Sequence, residues 1–180
     1  MLGLASLGLL ALQNVGAKSA GVSADRIDLP PVERKFSSAT GFSLTIRTRD
    51  GWKTPRAWAT LENASGAVMW ERELPHHLGP RRAFVTSSGQ VLLVDEWINV
   101  LSRYALTLVA PAGVTMVQYS GEQVISLLAV PRVAITAHAR DGLWITEGPS
   151  LAAGGKLVEF KAGGRVLAVA LGDGRLSIRP

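Results

Sequence analysis

Hydrophobic and polar residues alternate in short runs along most of the chain. In residues 41–48 (GFSLTIRT), Leu44 and Ile46 alternate with polar neighbours, which is the period of a strand with one buried face. Residues 56–62 and 67–74 repeat this pattern after turns rich in Gly, Asp and Asn. These three runs predict an antiparallel meander.

A second group of strands follows in the middle of the chain. Runs of strand type occupy residues 83–86, 104–110 and 114–119. Residues 91–94 (VLLV) are apolar at every position, which predicts a central strand covered on both faces. Residues 122–128 have the apolar spacing of a short helical turn, which Pro131 ends.

The last third of the chain continues in the same way. Its predicted strands, with a loop over 148–155, are residues 133–139, 143–147, 156–161, 165–171 and 175–179. Turn signals recur every 8 to 14 residues from residue 41 to the end. This spacing predicts an all-β fold of antiparallel meanders.

Residues 61–119 carry a resemblance to a known class of proteins. The segments LENASGAVMWERELP, VTSSGQVLLVDEWINV and ALTLVAPAG resemble blades of exported bacterial β-propeller-type proteins, namely the PQQ-type repeat family and bacterial proteins with a DEW motif. The resemblance implies β-meander blades and says little about function. PQQ enzymes have many more blades and a cofactor channel, so we predict no cofactor.

The length of the predicted β region leaves two architectures open. Residues 41–180 form a single predicted domain that provides strands for two to three blades of four, whereas a closed propeller needs at least about four blades. The meanders therefore pack either as a two-sheet sandwich or as an incomplete β-propeller of two to three blades.

The N-terminal region differs from this domain. Residues 1–17 contain no charged side chain, and Leu2 to Leu12 form an apolar run of the length found in signal peptides, with Ala17 before a possible cleavage site. We predict export to the periplasm, envelope or outside of the cell; the alternative is an uncleaved docking or anchoring segment, the only part expected to contact a membrane. Residues 18–40 read as a flexible arm or linker.

The amino-acid composition excludes several classes of protein. The hydrophobic fraction is 47% and the charged fraction 18%, which excludes an intrinsically disordered chain. The chain has no cysteine, so disulfide scaffolds, thiolate metal sites and cysteine nucleophiles are excluded. No apolar run is long enough for a multi-pass membrane protein.

Acid–base and metal chemistry has few candidates. His76 and His77 are adjacent in a proline-bracketed loop, and Asp95 and Glu96 could complete a metal-dependent enzyme site, yet the spacing matches no metal motif. Neighbouring strand residues point to opposite faces, so the two carboxylates should diverge, and Asp95 is expected to cap the loop around Asn99. We therefore predict no catalytic residue and no bound metal.

Basic and aromatic residues offer a better candidate surface. The chain has a net charge of +5, and residues 41–60 contain four basic residues against Asp50 alone. Such a surface suits an acidic protein partner, a glycan or an anionic surface; export argues against nucleic acid. The candidate binding residues are Arg47, Arg49, Trp52, Lys53, Arg56, Arg81, Arg82 and Trp97.

These observations favour a non-catalytic exported β-domain that acts as a binding or structural accessory subunit of an envelope assembly. We expect a protein partner or a homo-oligomer, because the arm at 18–40 could add a strand to a neighbouring sheet. The alternatives are a glycan- or ligand-binding module and the metal-dependent enzyme.

Overall fold

A computed structural model describes residues 28–137, 143–152 and 154–179. Within these ranges, three antiparallel sheets of four strands follow one another along the chain, each a simple meander. Sheet A consists of β1 (Glu33–Ser37), β2 (Ser43–Arg47), β3 (Ala57–Glu62) and β4 (Val68–Leu74). Sheet B consists of β5 (Pro80–Val85), β6 (Val91–Glu96), β7 (Leu106–Val109) and β8 (Thr115–Tyr119). Sheet C consists of β9 (Glu147–Leu151), β10 (Leu157–Ala162), β11 (Arg165–Ala170) and β12 (Leu176–Arg179).

Two short helices lie between sheets B and C in the chain, α1 (Gly121–Leu128) and α2 (Arg132–Thr136). Ser120 caps α1 through a reciprocal capping box with Gln123, in which each side chain bonds the other residue's backbone N–H. This confirms the helical turn predicted over 122–128. No helix within the described ranges has the length and apolar content needed to cross a bilayer.

Sheet B is the middle layer of the molecule. On β6, Val91 and Leu93 belong to the core shared with sheet A, whereas Leu92 and Val94 belong to the core shared with sheet C and α1. All six residues of β6 are buried. The prediction of a central strand covered on both faces is confirmed, because alternate side chains enter different cores.

The all-β fold of antiparallel meanders is confirmed. Three sheets of four strands match the strand number of three propeller blades. Layered packing on both faces of sheet B is equally that of a sandwich. The structure thus agrees with a sandwich and with a partial propeller, but the described residues form three sheets rather than the two of the predicted sandwich.

The last turn of each sheet contacts the preceding sheet in a recurring way. The β7–β8 turn places Gly113 at φ +81°, where an added Cβ would come within 2.9 Å of the Trp70 ring on β4. Gly174, in the β11–β12 turn, packs similarly on Val117 of β8. The equivalent Gly66 of sheet A has no other group within 4 Å of such a Cβ. The outer face of sheet A is therefore uncovered among the described residues.

Three local predictions are wrong. Residues 33–37 belong to the predicted flexible arm, but they pair with β2 as β1, because Phe36 packs against the core between sheets A and B. Residues 133–136 of the strand predicted at 133–139 instead belong to α2, in which the buried Ile135 packs against the core beside α1. The strand predicted at 143–147 lies instead at 147–151, within the predicted loop.

The N-terminal predictions fall outside the described part of the chain. The signal peptide over residues 1–17 lies wholly among residues 1–27, as does the first part of the arm. Both stay predictions.

Candidate functional site

The first strands of the three sheets lie side by side and form one edge of the molecule, which we call the first-strand edge (β1, β5 and β9). Arg34 on β1 donates from Nη1 to the Pro80 carbonyl at 2.7 Å. Arg82 on β5 donates from Nη1 to the Gly148 carbonyl at 3.1 Å. Each sheet is thus linked to the next by an arginine of its first strand.

An Arg–Trp cluster (Arg34, Arg81 and Trp97) lies where sheets A and B meet at this edge. The guanidinium carbons of Arg34 and Arg81 are 4.9 and 5.0 Å from the centre of the Trp97 ring. Arg81 also donates to the Trp97 carbonyl at 2.6 Å. Two cations therefore share one aromatic ring, an arrangement in which each is attracted by the ring and repelled by the other.

Arg34 is the unusual member of the cluster. Its pKa falls from 12.5 to about 10, first because the group is buried and then because of the charge on Arg81. Its Nε and Nη2 atoms are buried without a hydrogen-bond partner. Among the described residues Arg34 forms no ion pair.

Two of the candidate binding residues, Trp52 and Trp97, form hydrogen bonds with the segment that precedes β1. Trp97 Nε1 donates to the Asp28 carbonyl at 2.6 Å, and Trp52 Nε1 donates to the Pro30 carbonyl at 2.8 Å. The backbone N–H of Thr48 donates to the Val32 carbonyl, so the carbonyls at the alternate positions 28, 30 and 32 are all hydrogen-bonded. This segment is extended across the domain, and the buried Trp52 ring has little surface left for a ligand.

The basic residues of the β2–β3 hairpin are neutralised by β4. Arg47 and Arg49 reach the same Glu71 carboxylate, at 3.6 and 2.5 Å. The pKa of Glu71 is lowered, chiefly by the Arg49 hydrogen bond. Arg49 also stacks at 3.3 Å from the centre of the Trp58 ring.

The two other basic residues of this hairpin are Arg56 and Lys53. Arg56 lies 3.7 Å from Glu73 of β4, and Lys53 is exposed. The local excess of positive charge in residues 41–60 is thus offset by carboxylates that lie more than ten residues further along the chain. The predicted set does not form one surface: the hairpin residues lie on sheet A, whereas Arg81, Arg82 and Trp97 lie near the first-strand edge.

Asp95 caps the loop that follows β6, as predicted. Its carboxylate accepts the backbone N–H groups of Leu101 and Ser102 at 2.8 and 2.9 Å. Burial raises the pKa of Asp95 to about 6, although these hydrogen bonds act in the opposite direction. Glu96 accepts instead from the His77 backbone N–H at 2.9 Å. The two carboxylates therefore have separate structural partners.

The two adjacent histidines lie in different environments. His76 is 1% exposed and packs on Tyr104 with ring centres 4.9 Å apart, whereas His77 is exposed. Burial, with a smaller contribution from Arg72, lowers the pKa of His76 to about 3, so its ring is neutral. Among the described residues, no three His, Asp or Glu side chains form a group able to hold a metal ion. His138, the third histidine, lies outside those residues.

The sequence reasoning missed Arg34. A signal was available, because Arg34 and Phe36 alternate with Glu33, Lys35 and Ser37 in the run ERKFS. An arginine at an inward position of a strand breaks the hydrophobic pattern, and its neighbour Trp97 is distant in sequence.

Comparison with known proteins provides no relative to guide the interpretation of this site. No family model matches the chain, and no curated protein or solved structure matches it.

Proposed function

We propose that the protein is a non-catalytic β-domain that binds a protein partner and acts as a structural or accessory subunit. The observation that carries the proposal is a group of exposed apolar side chains, the outer-edge patch, on the last strands of sheets A and B and in the turn before β8. The exposed fractions are 58% for Val68, 44% for Met69, 63% for Val114 and 37% for Met116.

These residues lie on neighbouring strands. Arg72 of β4 donates to the Gly113 carbonyl and, at 3.0 Å, to the Thr115 hydroxyl at the start of β8. Trp70 packs on Gly113 in the same place. Each patch residue is within a few positions of these contacts, so the four side chains lie around the place where β4 meets the start of β8.

The strand edges in this region suit a protein ligand. β4 and β8 are the last strands of their sheets, so in the described chain each has one side without a neighbouring strand. Unpaired edges bind extended segments through backbone hydrogen bonds. Exposed methionine and valine side chains add apolar contact area, and methionine adapts to irregular partners.

The site geometry supports binding over catalysis. Of the candidate acids and bases, His76, Asp95 and Glu96 are buried, and backbone N–H groups engage the two carboxylates; His77 is exposed. A glycan platform is less well supported, since Trp52 is buried and the Trp97 ring is flanked by two arginines.

Site-specific photo-crosslinking in the source cells tests the proposal. A photoreactive amino acid at Met69 or Met116 should yield a discrete crosslinked species that contains the same protein from both positions. Val133 is the matched control, because it is apolar and 70% exposed but lies on α2. The proposal fails if the patch positions give no discrete product, or if Val133 captures the same protein equally well.

Export remains part of this proposal and rests on the apolar segment from Leu2 to Leu12. Sequencing the N-terminus of the native protein tests it. A start at Lys18 would support export with cleavage, whereas an intact Met1 would contradict cleavage and indicate an anchoring or docking segment.

A further inference from the structure

A cavity of about 640 Å³, which we call the loop cavity, lies between the β4–β5 loop and the β6–β7 loop. Pro75 and His77 form one side, and six residues between Glu96 and Arg103 form the other. Binding sites for small molecules in proteins have volumes of about 300 to 1,000 Å³. The loop cavity therefore has room for a small molecule or for one side chain of a larger ligand.

The β6–β7 loop is held in place by contacts with the rest of the domain. The Asp95 carboxylate accepts the backbone N–H groups of Leu101 and Ser102, and the Gly121 N–H at the start of α1 donates to the Ser102 carbonyl at 2.7 Å. Gly121 has no room for a Cβ, because the Leu101 carbonyl lies against it. A wall that is ordered before binding reduces the entropy lost when a ligand binds.

Glu96 is the buried charge in the wall of the loop cavity, with an exposed fraction of 6%. Its carboxylate accepts from the His77 backbone N–H at 2.9 Å and from Asn99 Nδ2 at 3.3 Å. Because His77 and Asn99 line the same cavity, the carboxylate that lies between them is at its wall. A carboxylate can accept about four hydrogen bonds, so these two leave part of its acceptor capacity unused.

The charge of Glu96 points to a cationic ligand. No described residue forms an ion pair with it. Buried charges in proteins are ordinarily paired, because removing a charge from water is costly, and the two neutral donors leave the negative charge in place. Arg103 also lines the cavity, but its side chain is exposed and stacks 4.8 Å from the centre of the Tyr104 ring. Water already solvates Arg103, so the buried Glu96 has the greater need of a counter-ion.

The apolar part of the wall suits an aliphatic chain attached to that cation. Pro75, Ile98 and Val100 line the loop cavity together with Glu96. A lysine side chain combines an apolar stem of four carbons with a terminal ammonium group. Such a group fits a wall that has apolar residues and one buried carboxylate.

From this arrangement we infer that the loop cavity binds an ammonium group on an aliphatic stem, such as the lysine side chain of a peptide. Glu96 pairs with the ammonium group, and Pro75, Ile98 and Val100 contact the stem. The inference goes beyond the proposed partner binding, because the loop cavity lies on loops that contain none of the outer-edge patch. It stands whether or not that patch binds a protein.

NMR titration of the ¹⁵N-labelled full chain tests the inference. N-acetyl-lysinamide should cause saturable shifts in the β4–β5 and β6–β7 loops, with a Kd below about 5 mM. N-acetyl-norleucinamide has the same stem without the ammonium group and should bind at least about tenfold more weakly. Sodium chloride keeps the ionic strength constant. Butylamine, compared with N-acetyl-lysinamide, distinguishes a free amine from a peptide as the preferred source, and binding of either with the expected shifts supports the inference.

Matched variants assign the binding to Glu96. Glu96→Gln should weaken the binding of N-acetyl-lysinamide at least about tenfold. Glu147→Gln on β9 makes the same change in net charge at an exposed position and should bind normally. Arg103→Gln should bind about twofold to threefold more tightly, because it removes a like charge from the cavity.

Several results would overturn the inference. They are the lack of saturable shifts in the two loops up to about 100 mM N-acetyl-lysinamide, equal affinity for the norleucine compound, and unchanged binding in Glu96→Gln. Equal weakening by Glu96→Gln and Glu147→Gln would indicate a general charge effect and would also contradict it. If Glu96→Gln does not fold, Arg103→Gln decides the question: tighter binding supports a cation site, and unchanged or weaker binding contradicts it.

Discussion

Two regions of this protein combine arginine with tryptophan, and they differ in what surrounds the charge. On the outer face of sheet A, Arg49 stacks on Trp58 and shares the Glu71 carboxylate with Arg47. In the Arg–Trp cluster, Arg34 is half-buried beside another cation, and its Nε and Nη2 atoms are buried without a hydrogen-bond partner. Local charge density along the sequence favoured the first region. The structure separates the two regions, because carboxylates of β4 pair with the arginines of the first, whereas no described carboxylate forms an ion pair with Arg34.

The largest expected effect distinguishes a core tryptophan from a surface one. Trp52→Ala should lower the free energy of unfolding by about 4 kcal/mol, because it removes a buried ring from the core between sheets A and B. Trp58→Ala on the outer face should cost less than about 1 kcal/mol. Chemical denaturation measures both values. Similar costs for the two variants would contradict the assignment of Trp52 to the core.

The next largest effect is a dependence of stability on pH that arises from His76. Both ring nitrogens of His76 are buried without a hydrogen-bond partner. Its pKa is lowered from 6.5 to about 3 in the folded state. The unfolded chain therefore binds a proton as the pH falls below 6.5 while the folded chain does not, so stability is lost between pH 6.5 and pH 3. Wild type should lose about 3 kcal/mol from this group between pH 7 and pH 4.

His76→Phe keeps an aromatic ring against Tyr104 and should lack this loss. Asp95, whose raised pKa acts with the opposite sign between pH 4 and 6, is present in both proteins and cancels in the difference. Denaturation curves at pH 7 and pH 4 provide the measurement. Parallel pH profiles for the two proteins would show that His76 is charged or solvated in the folded state.

A smaller effect tests whether the outer face of sheet A is uncovered. Gly113→Ala should cost about 2 kcal/mol, since the new Cβ meets the Trp70 ring and the backbone has positive φ. Gly66→Ala shares the positive φ and lacks the contact, so about 1 kcal/mol is expected. An equal or greater cost at Gly66 would reveal a group packed on that face.

The smallest effect concerns the neutralised hairpin. Glu71→Gln should change the unfolding temperature by less than about 2 °C, because exposed ion pairs contribute little. It should nevertheless delay elution from a cation-exchange column, since Arg47 and Arg49 lose their shared carboxylate. Glu33→Gln, on β1 of the same sheet, is the control with the same change in net charge. Equal delays in the two variants would mean that Glu71 has no special role.

Most of the strands could be predicted because their signals are local. Alternation at Leu44 and Ile46, the apolar run at 91–94 and the glycine turns each depend on a few adjacent residues. The failures arose where long-range packing outweighed local propensity. The β-branched residues of α2 favour a strand, yet burial of Ile135 against the core is satisfied by a helix.

The candidate site was only partly predictable for the same reason. Arg81 and Trp97 were singled out by residue type, and the structure brings them together. Arg34, which completes the cluster, lies 46 residues from the carbonyl that it binds. Trp52 was expected to contribute to a binding surface. Instead, its Nε1 donates to the Pro30 carbonyl and its ring packs in the core between sheets A and B.

The sequence by itself determined an all-β chain of consecutive antiparallel meanders, because strand alternation and tight turns are properties of neighbouring residues. Only the tertiary structure decided that the described residues form three sheets, that Glu71 pairs with Arg47 and Arg49, and that Arg34 forms no ion pair with a described residue. Those features depend on which faces pack together and which charges meet across the sheets, and residues far apart in the chain set both.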